Sequence, residues 1–220
     1  TRGETRSHGM DVLVANAWDN TVFWYENNGL QSFTERVVWT GQDYMEAGAA
    51  DVDGDGITDV LSASWTSATA AWYENNGNQG FATHELITGR GYVHSVRAAD
   101  VDGDGDVDVI AALWDRNTVV WFQNDGAQAF TEYVITILMQ DCNFVIATDV
   151  DGDGDTDPLA SAHTGGTIAW YENDVSVSFT PHEITNAAAL GEQIYAVDID
   201  GDGDVDVVSA SQGDSKIAWH

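Results

Sequence analysis

Apolar and polar positions along this chain fall into short runs and not into helical stripes. Val60-Leu-Ser-Ala-Ser64, Val109-Ile-Ala-Ala-Leu113 and Val207-Val-Ser-Ala-Ser211 are β-prone segments bounded by turn residues. A second kind of run follows each at a short interval, marked by Trp24, Trp72, Trp121, Trp170 and Trp219. The turns Asn27-Asn-Gly29, Asn75-Asn-Gly77 and Asn124-Asp-Gly126 then reverse the chain. The region around residues 98–146 displays one whole unit: a strand ending at Ala98-Ala99, a loop, then strands over 109–112, 118–123 and 130–135. Consecutive short strands joined by hairpin-length turns predict a four-stranded antiparallel meander, and several such units stacked radially make an all-β propeller. In that arrangement the tryptophan series packs neighbouring blades together.

The loop sets the period. Asp51-Val-Asp-Gly-Asp-Gly-Ile-Thr-Asp59 recurs at Asp100, Asp149 and Asp198, each copy starting 49 residues after the last. Five units follow, 11–48, 49–97, 98–146, 147–195 and 196–220, and a propeller of about five blades is expected. The first unit holds strands two to four and the last holds strands one to three, eighteen in all, so both terminal blades are incomplete and present open edges. Thr1 to Met10 fit no repeat and sit where the other units carry the loop; they are read as a cloning remnant or as an edge segment able to replace an inner strand.

Within each loop, Asp at positions 1, 3, 5 and 9 and Gly at 4 and 6 form the pattern of a chain wrapped around a hard cation. The candidate ligands are Asp51, Asp53, Asp55 and Asp59; Asp100, Asp102, Asp104 and Asp108; Asp149, Asp151, Asp153 and Asp157; and Asp198, Asp200, Asp202 and Asp206. Position 7 (Ile57, Asp106, Asp155 and Asp204) can add a ligand through its carbonyl. Calcium is the natural ion, because it accepts six to eight oxygens in flexible geometry, and about four structural ions are expected. An EF-hand is excluded: it needs Glu at position 12, where this chain has Ser62, Ala111, Ala160 and Ser209, and strands follow the loops.

A formal charge of −30 with only seven Lys plus Arg argues against nucleic acid or anionic lipid as partner. No apolar run is long enough to insert in a membrane, and the single Cys142 leaves no internal disulfide and reads as a small buried hydrophobe.

The loop, the period and the Trp-Tyr-Glu-Asn strand together resemble the FG-GAP or VCBS-type repeat of integrin α-like propellers, over about residues 11–220. The resemblance implies a calcium-binding β-propeller in a secreted protein, extracellular or periplasmic, with the ligands on Asp51, Asp53, Asp55, Asp59 and their equivalents. Lectins with such propellers are the nearest functional analogues it suggests.

Two sets of residues vary while this frame repeats. Trp18, Trp65, Trp114, His163 and Gln212 lie at or next to one offset after the loop, in turns on the opposite face, where a tryptophan beside polar groups suits a sugar or protein ligand. Tyr44, Glu46, His94, Arg97, Asp141, Asn143, Glu192, Gln193 and Tyr195 precede or begin the inner strands that line the central channel. Of these, Glu46, His94, Asp141 and Glu192 are types that a catalytic metal or general base requires. The sequence therefore predicts a calcium-stabilised binding module for carbohydrate or protein. The alternative is a metal-dependent hydrolase of phosphoesters or lactones at the channel mouth. The open terminal blades also allow a homodimer.

Overall fold

A computed structural model describes residues 10–41, 44–174 and 177–220. Its strands form five blades about a central axis, a five-bladed β-propeller. Blade 1 comprises β1 (Val12–Asn16), β2 (Thr21–Asn27) and β3 (Phe33–Thr40). Blade 2 comprises β4 (Tyr44–Ala50), β5 (Asp59–Ser64), β6 (Thr69–Asn75) and β7 (Phe81–Thr88). Blade 3 has β8 (Val93–Ala99), β9 (Asp108–Leu113), β10 (Thr118–Asn124) and β11 (Phe130–Thr136). Blade 4 has β12 (Cys142–Thr148), β13 (Asp157–Ala162), β14 (Ile168–Asn173) and β15 (Phe179–Thr185). Blade 5 ends the chain with β16 (Gly191–Val197), β17 (Asp206–Ser211) and β18 (Lys216–Trp219). All neighbours pair antiparallel in chain order. The only helical element among the described residues is the single 3-10 turn Trp114–Arg116. Thr1 to Gly9, the proposed edge segment, lie outside the described residues, as does the Tyr44 side chain.

Units counted from the aspartate loops start at residues 49, 98, 147 and 196, inside β4, β8, β12 and β16; the blades themselves begin where those strands begin. Four buried clusters lie at the four successive blade interfaces. Val22, Val60, Ala71 and Tyr73 join blades 1 and 2; Leu61, Trp72, Val96 and Val120 join 2 and 3; Ile110, Trp121, Val145 and Ala160 join 3 and 4; Leu159, Ile168, Ile194 and Val207 join 4 and 5. Among the described residues no such cluster joins blade 5 to blade 1. A strand held between two neighbours is buried on both faces, and this explains the near-continuous apolar and small-residue runs: every residue of β5, β9 and β13 is buried. Trp72 and Trp121 are fully buried, as expected for blade packing, and Cys142 is likewise buried.

The inner strands share an irregularity. In each pairing of first and second strand the register shifts by one residue, between Tyr44 and Glu46, Val93 and Ser95, Cys142 and Phe144, and Gly191 and Gln193. The residues left without a cross-strand partner in blades 3, 4 and 5 are His94, Asn143 and Glu192. A bulge of this kind re-aims the side chain it carries.

Candidate functional site: aspartate loops and an aromatic cluster

Because each blade is a meander, the aspartate loops between first and second strands lie at one end. The turns between second and third strands, and the links into the next blade, lie at the other. Each end carries a distinct constellation.

At the loop end, glycines at positions 4 and 6 take positive φ, for example 73° at Gly54 and 86° at Gly56, which lets the chain curl around its own carboxylates. The oxygens of Asp51, Asp53 and Asp59 converge to within 4.8 Å of one another, as do Asp100, Asp102 and Asp108, then Asp149, Asp151 and Asp157, then Asp198, Asp200 and Asp206. These groups can hold a metal ion. Among the described residues they are the only such clusters of three or more acidic, His or Cys ligands. Asp55, Asp104, Asp153 and Asp202 stand outside the trios and accept the backbone N–H of position 7 at 2.7–3.0 Å. The position-7 side chains are also outside: Ile57 and Asp106 lie against Gly77 and Gly126, leaving a carbonyl as the group this position can offer.

The ninth aspartate ties the loop to the blade. Asp59 accepts Val52 N–H at 2.9 Å and Asn75 N–H at 2.8 Å. Asp108 accepts the same two backbone bonds, from Val101 and Asn124, and the Trp121 indole N–H at 3.0 Å. Burial raises the pKa of Asp59 and Asp157 and pushes Asp108 up to about 6, against the lowering by those donors. At the same position in blade 5, Asp206 shifts downward, led by its bond from Trp219. One atom tests whether a cation fits. Asp51 Oδ1 is buried and has no hydrogen-bond partner, while Oδ2 accepts Gly56 N–H at 2.9 Å. A buried carboxylate oxygen facing two further carboxylates is stable when a cation completes it, so the donor set fits a hard divalent ion.

Side chains also couple these loops from blade to blade. Asn124 Nδ2 donates to Val107 O in its own loop and to Val52 O in the loop of blade 2, both at 3.1 Å. Asn173 repeats the bridge from blade 4 to Val101 O.

At the opposite end, Trp65, Trp114 and His163 follow β5, β9 and β13 at one repeat position, so three successive blades aim them at a common region. Trp65 lies 5.3 Å from Trp114, and Trp114 lies 4.8 Å from His163, between ring centroids. Tyr92, in the link between blades 2 and 3, stacks on Trp65 at 5.0 Å and 11°. His94 packs against both tryptophans, at 5.4 and 5.2 Å. Trp65, Trp114, His94 and His163 are half-buried and Tyr92 is exposed, which makes the cluster an aromatic surface and not a core. Glu192 borders it, with Oε1 3.4 Å from His163 Nε2. Nδ1 of His163 is buried without a partner.

Trp18 is the exception. It is 96% exposed and shares none of these ring contacts. Blade 1 runs 48 residues before blade 2, as Trp24 and Trp72 show, so the true equivalent of Trp65 is Ala17 and Trp18 is one position further on, pointing outward.

The channel candidates are largely engaged in joining blades. His94 Nδ1 lies 2.8 Å from Asn143 O; a carbonyl only accepts, so the proton sits on Nδ1 and Nε2 is left as the acceptor of the neutral ring. Burial holds the His94 pKa below the usual histidine value, opposed by that bond and by the charges of Glu192 and Glu46. Asn143 Nδ2 in turn donates to Gly191 O at 2.7 Å. Glu46 pairs with Arg97 at 2.5 Å and accepts Val96 N–H at 3.0 Å, and Ser95 Oγ accepts Val145 N–H at 3.3 Å. Asp141 accepts the Thr164 hydroxyl. The free backbone edges of β8, β12 and β16 are thus capped by side chains of the blade before each.

Residues 9–62, 51–111, 100–160 and 149–209 each match the FG-GAP-like repeat family, so matches run through nearly the whole chain. The chain belongs to the FG-GAP-like repeat family. The fold likewise appears in solved structures of low identity. The V. cholerae biofilm matrix protein Bap1 superposes with a TM-score of 0.60 at 18% identity, over 99% of this chain and 35% of that one. This FG-GAP chain therefore spans about a third of Bap1. A protein from Lactobacillus plantarum gives 0.62 at 14% identity, over 96% of this chain and 67% of its own. No curated protein sequence matches.

Tyr92 and the two bridging asparagines were not singled out by sequence reasoning. Tyr92 is an aromatic in a polar Gly-Arg-Gly-Tyr link, a signal that was present, whereas Asn124 reads simply as a turn residue.

Proposed function

We propose that this FG-GAP propeller is a calcium-stabilised, extracellular binding module that takes a glycan or a protein surface on the aromatic cluster. The observation that carries the reading is the contiguous, partly exposed set Tyr92, Trp65, Trp114 and His163, drawn from three blades and bordered by the carboxylate of Glu192. Apolar ring faces with a few polar groups at their margin suit a sugar ring or an aromatic side chain. A rigid scaffold presenting variable turns is the usual setting for such recognition.

Calcium would be held by the carboxylates of the four trios, supplying positive charge where acidic side chains crowd. Loops of this kind in extracellular modules bind calcium at roughly 10⁻⁴ to 10⁻³ M, a range matched to calcium outside the cell. The family and the acidic repeats support that location, and no helix among the described residues is long and apolar enough to cross a membrane.

The test is a panel of immobilised glycans and candidate proteins probed with wild type and with the double variant Trp65→Ala, Trp114→Ala, both in calcium. A ligand bound by wild type and lost in a double variant of unchanged melting temperature supports the reading. A ligand held equally by both would move the site elsewhere.

A further inference from the structure

The third strands of blades 2, 3 and 4 end in Asn75, Asn124 and Asn173. A turn residue is ordinarily solvated, yet Asn124 is 2% exposed and Asn173 1%. The side-chain amide of each asparagine donates to the eighth carbonyl of its own loop, Thr58 O, Val107 O or Thr156 O. Asn124 and Asn173 add a second bond, across the blade interface, to the carbonyl at position 2 of the preceding loop, Val52 O and Val101 O. Both valines are buried, so these crossing bonds lie away from water.

Position 2 is the point at which a loop can be held. It stands between the candidate ligands at positions 1 and 3, and its N–H donates to the ninth aspartate, from Val52 to Asp59 at 2.9 Å and from Val101 to Asp108 at 3.1 Å. The asparagines donate from the backbone as well, Asn124 to Asp108 at 2.7 Å and Asn173 to Asp157 at 2.8 Å. The bonds therefore join end to end. From Asp59 the path runs through Val52 and Asn124 to Asp108, then through Val101 and Asn173 to Asp157, linking the ninth carboxylates of three successive loops.

We propose that the aspartate loops of blades 2, 3 and 4 take up calcium cooperatively, with Asn124 and Asn173 as the couplers. The inference rests on the calcium reading above and adds that these three sites are not independent. Each loop has two arrangements. With no counter-charge, the carboxylates at positions 1, 3 and 9 repel one another, the loop loosens, and the crossing bond to position 2 goes with it. Drawn together on a cation, the same carboxylates fix the peptide at position 2. Its carbonyl then meets the asparagine of the next blade, whose own N–H is held against the next ninth aspartate. An occupied loop thus favours the ordered arrangement of its neighbour, and linkage makes the effect equal in both directions. Buried hydrogen bonds in series also polarise one another.

Flow dialysis of the calcium-stripped full chain with radioactive calcium, in about 0.15 M salt to screen through-space effects, tests this. Wild type should give a sigmoidal isotherm. Asn124→Ala and Asn173→Ala should bind as many ions with a shallower curve. Asp151→Asn disables the blade 4 loop at an exposed position and tests the coupling without disturbing a buried amide. It should weaken the remaining sites by about fivefold, and much less when combined with Asn173→Ala. Sites that fill independently in wild type, or an Asp151→Asn effect that is the same with and without Asn173, would overturn the coupling and leave calcium binding in place. A chain that takes up no calcium would overturn both the coupling and the reading on which it rests.

Discussion

The imidazole of His94 shows how one side chain serves both the frame and the candidate site. It lies on a bulge of β8, donates from Nδ1 to the next blade and packs on Trp65 and Trp114. Its pKa in the fold is below the ordinary 6.5, so the unfolded chain takes up the proton first. The stability contributed by neutral His94 is therefore present above about pH 6.5 and is lost as pH falls from there through the lowered value. Melting temperatures recorded between neutral and mildly acidic pH should decline, and His94→Gln should flatten that decline. A variant with the wild-type slope would assign the pH dependence to other groups. The tryptophans make a separate prediction. Aromatic pairs contribute about 0.5–1.5 kcal/mol beyond area burial, so Trp65→Ala with Trp114→Ala should leave a folded protein that still melts in a calcium-dependent way. Chemical denaturation in the presence and absence of calcium checks this.

Among the elements, the aspartate loop with the strand ends around it carries most of the design. Its ninth aspartate binds the backbone of its own blade, and the asparagine of the next blade crosses to its second carbonyl. Ordering one loop therefore supports two blades. Asn124→Ala leaves the buried Val52 carbonyl and the half-buried Val107 carbonyl without that donor and should cost about 1–3 kcal/mol in denaturant unfolding. It should also weaken the stabilisation by calcium, which a comparison of the variant with and without chelator would measure. Much of this level was legible in the sequence. The loop period located β5, β9, β13 and β17 and the strands after them, because carboxylates and glycines in that spacing have few other uses. The convergence of only positions 1, 3 and 9 was not legible, since the spacing alone places all four aspartates around the turn. The bulge was hidden for a different reason: its residues, His94, Asn143 and Glu192, share no chemistry that would mark them as one position.

For the whole molecule, the eighteen strands and the incomplete terminal blades follow from counting units, but burial does not. β5 and β17 differ by one residue in six and are buried differently, because what covers a strand is set by its neighbour and not by its own pattern. Trp18 stands apart from the aromatic cluster because the 48-residue step between the first two blades sets it one position out of register with Trp65. The blades cohere through four apolar interfaces, through the side-chain caps along the inner strands and through the loops at one end. At a formal charge of −30 and with acidic groups gathered at those loops, the proposed calcium-binding role predicts that a counter-charge there stabilises the fold. The direct measurement is the thermal unfolding of calcium-stripped protein titrated with calcium. At ten times a dissociation constant each site adds roughly 1.4 kcal/mol, so four comparable sites add about 5–6 kcal/mol and a large rise in melting temperature. A melting curve unmoved by millimolar calcium, in protein verified to be metal-free at the start, would contradict the account.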